Sequence, residues 1–186
     1  MKIKLFIFLI CSFLISTNLF GQYKIRLQGS AAIPTGYSED IVSVGFGGNF
    51  NLSYAFNSSF ELSFTSGYYS FGDKPNLPDY TFSFSAIPVL VGIRYNLLDY
   101  NFIPYIGLEA GGYFSRYNLT IDYGYFGKAK VITKGQSWGI SPEAGFKINL
   151  TPMLDLDVSS KYNRINTKYI TRAFVLIQSG FTYKFL

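Results

Sequence analysis

From residue 22 onward the chain alternates. Apolar side chains recur every second residue, with small or polar ones between them, in one segment after another. A period of two marks β-strands whose faces meet unlike surroundings, and it rules out helices, which repeat every 3.6 residues. No stretch after residue 22 approaches the ~20 apolar residues of a membrane-crossing helix. Eight segments carry the pattern: 23–33, 42–56, 60–68, 80–97, 104–114, 137–150, 154–162 and a last one from about Phe174. The first places Tyr23, Ile25, Leu27, Ala31 and Ile33 on one face; the second does the same with Val44, Phe46, Phe50, Leu52 and Tyr54. In the fourth, "YTFSFSAIPVLVGIRYNL", Phe82 and Phe84 take the apolar face before the parity shifts to Ile87, Val89, Val91, Ile93 and Tyr95. A bulge near Ala86, just before Pro88, is expected to produce that shift. Pro142 stands mid-segment with no parity change, and an unseen bulge is the only account the pattern offers for it.

The charges decide which face is which. Lys24, Arg26, Glu61, Arg94, Glu109, Glu143, Lys147, Asp155, Asp157, Lys161 and Lys184 all fall opposite the apolar face. So do Gly45, Gly47, Gly107, Gly111, Gly139 and Gly145. A soluble ligand-binding barrel would turn the apolar face inward and leave that glycine-rich face as a bare exterior. The opposite orientation gives the glycines a purpose, which is to make room for longer neighbours inside a narrow barrel. The apolar face also gathers aromatics toward segment ends (Tyr23, Phe56, Phe60, Tyr95, Phe114, Trp138, Tyr162), as at a bilayer surface. Charged residues make up only 15% of the chain, against roughly 25% in soluble domains. The connectors alternate as well. Links 57–59, 98–101 and 151–153 are short, whereas 34–41, 72–79, 117–136 and 163–173 are long. The expected fold is therefore all-β: an eight-stranded antiparallel up-and-down transmembrane β-barrel, with short turns at one end and long loops at the other. Six basic and five acidic residues then share a lumen just wide enough for side chains. Burying them unpaired costs several kcal/mol each, so the lumen is expected to be filled by ion pairs rather than open as a pore.

The first 21 residues read differently. Lys2 and Lys4 precede an apolar run from Leu5 to Ile15 and a more polar stretch ending at Gly21, the pattern of a cleaved secretory signal peptide. The expected organisation is a leader over 1–21 and a barrel domain over 22–186. Cys11, the only cysteine, lies in the leader, and histidine is absent, which removes most general-base chemistry and the commonest metal ligand. No cofactor is expected. Without Lys2 and Lys4 the formal net charge falls from +5 to +3, which is too mild to argue for nucleic acid.

The chain closes on "SGFTYKFL". Together with the eight segments and the inward charges, this resembles the small outer-membrane β-barrels of the OmpA/OmpX type. The resemblance covers most of 22–186, and "IPVLVGIRY" and "PYIGLEAGG" are similar to mid-barrel strands of that group. It implies outer-membrane localisation and recognition of Gly180, Tyr183 and Phe185 by the barrel-assembly machinery; Leu186 departs from the usual terminal aromatic. The "FGQ" ending of the leader and the Tyr-rich body resemble proteins of the Bacteroidetes. Enzymes built on small outer-membrane barrels place a histidine in the active site, and this chain has none. Asp155 and Asp157 share a strand face, but no nucleophile accompanies them, and they are expected to be ion-pair partners. The expected role is thus non-enzymatic, serving envelope structure or surface interaction, with a small channel or carrier as the alternative. The segment 117–136 continues the alternation through Leu119, Ile121 and Tyr123 and resumes it at Ala129 and Val131. It is either a protruding hairpin able to pair with a surface protein or a long, partly ordered loop. Lys128, Lys130, Lys134, Arg164, Lys168 and Arg172 give the loop end a basic rim for lipopolysaccharide phosphates. A monomer in contact with outer-membrane lipid completes the expectation.

Overall fold

The computed structural model describes residues 22–36, 39, 42–73, 80–98, 100–123, 125, 127–167 and 171–185. The expected leader over 1–21, Lys168 and Leu186 lie outside the described residues. Eight strands run in order: β1 (Gln22–Thr35), β2 (Val42–Ala55), β3 (Phe60–Asp73), β4 (Tyr80–Asn96), β5 (Phe102–Asp122), β6 (Lys128–Thr151), β7 (Leu154–Asn166) and β8 (Arg172–Lys184). Each is antiparallel to the next, and β8 returns to pair with β1 from Lys24↔Lys184 to Thr35↔Ala173, which closes the sheet. Closure pairs the edge that a flat sheet of this length would leave open.

The short turns are built by polar side chains in the connectors. Asn57 Oδ1 accepts the backbone N–H groups of Ser59 (2.9 Å) and Phe60 (2.8 Å), folding β2 into β3. Thr151 Oγ1 does the same for Met153 and Leu154 between β6 and β7. At the other end β5 and β6 continue as a hairpin, paired as far as Asp122↔Lys128. The β6–β7 ladder begins only at Trp138↔Asn166, so that hairpin outreaches its neighbour β7.

The period of two runs through β4 unbroken. Its pairing with β5 keeps one register from Tyr80↔Ile121 to Asn96↔Tyr105, and its pairing with β3 is the same above and below Ala86. There is no bulge at Ala86. Phe82 and Phe84 consequently lie on the inner face with Ala86, Leu90 and Arg94, not on the outer face that their neighbours' hydrophobicity indicated. Pro88 and Pro142 act alike. Neither can donate to a ladder, and each interrupts pairing on one side only, Pro88 toward β3 and Pro142 toward β7. On the other side Pro88↔Tyr113 and Leu108↔Pro142 hold the register. Register shifts occur instead at Val42/Gly45 and Asn149/Thr151, near strand ends.

The outer face is apolar along its middle: Leu27, Leu52, Leu62, Val91, Ile106 and Ile177 are all exposed. Rings collect toward the short-turn end, where Tyr23 meets Tyr54 at 5.0 Å and Phe60 meets Tyr95 at 4.9 Å. The core lies inside the barrel. Toward the long loops it is made of Tyr69, Phe71, Phe84, Leu90, Phe174 and Leu176 with smaller apolar neighbours. The Phe71 ring touches Phe84 and Phe174, both at 5.2 Å. Phe84 is 4% exposed, so Phe84→Ala is expected to lower the unfolding free energy by roughly 3–5 kcal/mol. Urea titration of the reconstituted barrel checks this, and a neutral substitution would contradict the inward placement.

The occluded lumen as candidate functional site

An eight-stranded barrel leaves an interior only one or two side chains across, so neighbours must differ in size. Pairing achieves this. Gly145 stands opposite Tyr105, Gly107 opposite Arg94, Gly92 opposite Glu109 and Gly47 opposite Tyr69. A Cβ on Gly145 would lie 2.8 Å from the Tyr105 hydroxyl, and one on Gly139 would lie 2.6 Å from the Tyr113 ring. The inward glycines are thus the spaces that let long polar side chains cross the lumen.

The charged residues meet in the half nearer the short turns. Glu143 lies at the centre: Oε1 is 3.1 Å from Arg26, and Oε2 is 3.0 Å from Arg94 Nε and 3.7 Å from Lys161. Arg26 also spans both oxygens of Asp157, at 3.2 and 3.1 Å. Arg94 reaches Glu109 at 2.9 Å and donates to Asn51 at 3.0 Å. Glu109 takes Lys161 at 2.8 Å and the Thr65 hydroxyl at 2.8 Å. Nearer the mouth, Glu61 lies between Lys24 and Lys147, each at 2.7 Å. Lys184 lies 2.7 Å from Asp155.

Tyr105 ties the layer together. Its hydroxyl accepts from Arg26 at 2.7 Å and donates to Asp157 at 2.9 Å. Three cations surround its ring, with Lys147 at 5.1 Å and Arg26 and Arg94 at 5.9 Å from the centroid. Tyrosine was read only for its abundance and its outward belts, so this inward one was missed. Counting parity from Glu109 places Tyr105 on the lumen face.

Above the ions comes a neutral polar layer. Gln28 donates to Asp157 at 2.9 Å and to Ser159 at 3.3 Å, and the Tyr113 hydroxyl joins Ser141 (2.6 Å) and Asn163 (2.8 Å). The aromatic cluster follows and fills the half nearer the long loops. Arg172 caps it, 4.5 Å from the Tyr117 ring and 5.4 Å from Phe84. The lumen is therefore polar for part of its length only.

The remaining predicted residues lie apart. Lys130, Lys134 and Arg164 are exposed on the outward parity of β6 and β7, and Lys128 is exposed near the tip of the hairpin. Tyr183 and Phe185 meet edge to face at 5.0 Å on the exterior. Gly180 faces inward at the seam, where an added Cβ would overlap the Leu27 carbonyl and lie 2.6 Å from the Gln28 Cα. Among the described residues no group of three or more His, Cys, Asp or Glu is arranged to hold a metal ion.

The fold has counterparts among solved structures. Neisserial surface protein A aligns over 88% of this chain and 97% of its own, with a TM-score of 0.60 at 20% identity. The outer membrane protein OprG from Pseudomonas aeruginosa aligns over 89% and 96%, with a TM-score of 0.60 at 18% identity. The fold is that of the small outer-membrane β-barrels. The outer membrane protease OmpT from Escherichia coli also aligns, over 89% and 96%, with a TM-score of 0.51 at 10% identity, so the architecture serves an enzyme as well. No family profile matches the sequence, and no curated protein does.

Glu143 neutralises parts of three buried cations. Glu143→Ala is expected to cost roughly 3–5 kcal/mol of stability, because it strands Arg26 and Arg94 without a shared partner. A double-mutant cycle over Arg94 and Glu143 in urea titrations is expected to give a clear non-zero coupling. Independent effects would show that the two do not act as a pair.

Proposed function

We propose that this chain is a non-enzymatic integral outer-membrane β-barrel of the OmpA/OmpX type, whose work lies in envelope structure and in what its long-loop end presents. The observation that carries this reading is the lumen: two ion-paired and hydrogen-bonded layers backed by an aromatic one, with an apolar exterior outside them. The fold shared with a surface protein and an outer-membrane protein supports the location, and a cleaved leader over 1–21 fits the same route. The Tyr-rich composition fits an origin in the Bacteroidetes. A lumen so filled offers no substrate cleft, and the chain has no histidine to serve as a base.

The β5–β6 hairpin is the candidate contact for a surface protein, since β6 leaves its β7 side unpaired before Trp138. Gly180, Tyr183 and Phe185 are the candidate assembly signal. Lys130, Lys134 and Arg164 are the candidate contacts for lipopolysaccharide phosphates. Replacing them is expected to weaken lipopolysaccharide binding, and unchanged binding would remove that part of the proposal.

One observation favours a carrier or channel as a second reading. A vestibule of about 300 Å³ opens at the short-turn mouth between Lys24, Asn96, Lys147, Asp155 and Lys184. It leads to Glu61 and Lys147, where the ion pairs block it. In planar bilayers the purified barrel is therefore expected to show no large, steady conductance. Stable openings of porin size would overturn the plugged reading and promote the second.

A further inference from the structure

The outer surface carries a like-charged rung. Arg116 on β5 lies directly opposite Lys134 on β6, and both side chains are exposed on the outward parity. Like charges placed opposite one another across a sheet are destabilising, and among the described residues neither has an acidic partner. The next rung toward the barrel's middle is Ile87, Phe114 and Gln136, with Tyr68 beside it on β3. Asn118 lies on the far side of the rung. Together these residues line an external groove of about 550 Å³ across β4, β5 and β6. It has two cations and the Asn118 amide at its upper end and, beside Gln136, an apolar floor at its lower end, so its polarity runs along the barrel wall.

We infer that this groove binds the phosphorylated headgroup of a membrane lipid, with the phosphate between Arg116 and Lys134 and an acyl chain lying over Ile87 and Phe114. Charge complementarity names the occupant. Two adjacent cations match an anion with several acceptor oxygens, and the guanidinium of Arg116 engages a phosphate through two parallel N–H groups. The apolar floor continues into the outward belt, where Trp138 sits one rung below Gln136 on the same strand. A free phosphate would use the cations and leave that floor uncovered. The inference rests on the membrane reading above and adds to it a defined site. Arg116 had no place in the predicted rim.

Trp138 is the only tryptophan of the chain and is 57% exposed, so it reports on lipid beside the groove. The full barrel is reconstituted in phosphatidylcholine vesicles carrying a small fraction of acyl-brominated lipid, either phosphatidic acid or phosphatidylcholine. Quenching of Trp138 is expected to be severalfold stronger with the brominated phosphatidic acid. The excess is expected to vanish in Arg116→Gln/Lys134→Gln and to survive in the charge-swapped Arg116→Lys/Lys134→Arg, which keeps two cations and a guanidinium on the rung. Soluble glycerol phosphate at the lipid's concentration is expected to leave the excess intact. No excess in the wild type, an excess kept by the Arg116→Gln/Lys134→Gln variant, an equal loss in the charge-swapped variant, or displacement by glycerol phosphate would each overturn the lipid site. If brominated phosphatidylcholine does not quench Trp138 either, the membrane reading fails along with it.

Discussion

Closing a sheet of only eight strands pairs the strand edges through the body of the barrel, and it also fixes how little room is left inside. The β1–β8 pairing extends from Lys24↔Lys184 to Thr35↔Ala173 and brings eight inward faces to within side-chain reach of one another. Everything inside follows from that confinement. A large residue needs a small one opposite, and so Gly145 faces Tyr105 and Gly107 faces Arg94. A charge that enters must find its counter-charge in the same cross-section, because water has no space to solvate it. Glu143 meets this demand for Arg26, Arg94 and Lys161 together. At the seam the demand becomes steric, since Gly180 leaves no space for even a methyl group against Leu27 and Gln28.

The lumen is therefore graded along the barrel axis, from ions at the short turns through neutral hydrogen bonds to rings at the long loops. Each end is closed by different physics. Ion pairs block the first half because separating them exposes charge at several kcal/mol each. The rings of Phe71, Phe84 and Phe174 block the second by packing. A route for a solute would have to open both, which is a steep requirement for a passive carrier. The exterior repeats the theme in reverse, apolar through the middle and cationic where Arg116 and Lys134 begin. With the lumen filled, the functions proposed above fall on the surface, namely on the hairpin of β5 and β6 and on the groove beneath it.

Much of this was legible in the residues. The two-residue period, the one-sided charges and the sorted connector lengths gave the strand number, the order and the closed architecture, because each is a direct print of the barrel's geometry. The misreading in β4 has a physical cause. Hydrophobicity marks the outer face in most segments, and it turns Phe82 and Phe84 outward only at the expense of a bulge that the structure lacks. Phase is the stronger signal: Arg94 fixes the inward parity, and counting back from it turns Phe84 inward. The same count from Glu61 and Lys184 turns Tyr69, Phe71, Phe174 and Leu176 inward, so an apolar upper lumen was within reach. Which carboxylate meets which cation was not, since partners such as Arg26 and Asp157 are 131 residues apart and depend on strand tilt and side-chain length. The role of Tyr105 was hidden for the same reason.

The central claim is that the lumen is sealed along its charged half, and cysteine accessibility tests it most directly. After residue 21 the chain has no cysteine, and Ser63 faces the ion layer at 1% exposure, 3.3 Å from Glu109. Ser63→Cys in vesicles should resist a small charged thiol reagent added from both sides until the barrel is unfolded, whereas Tyr125→Cys, at a fully exposed site, should react at once. Labelling of the two at comparable rates in the folded barrel would contradict the sealed lumen and require a continuous aqueous path.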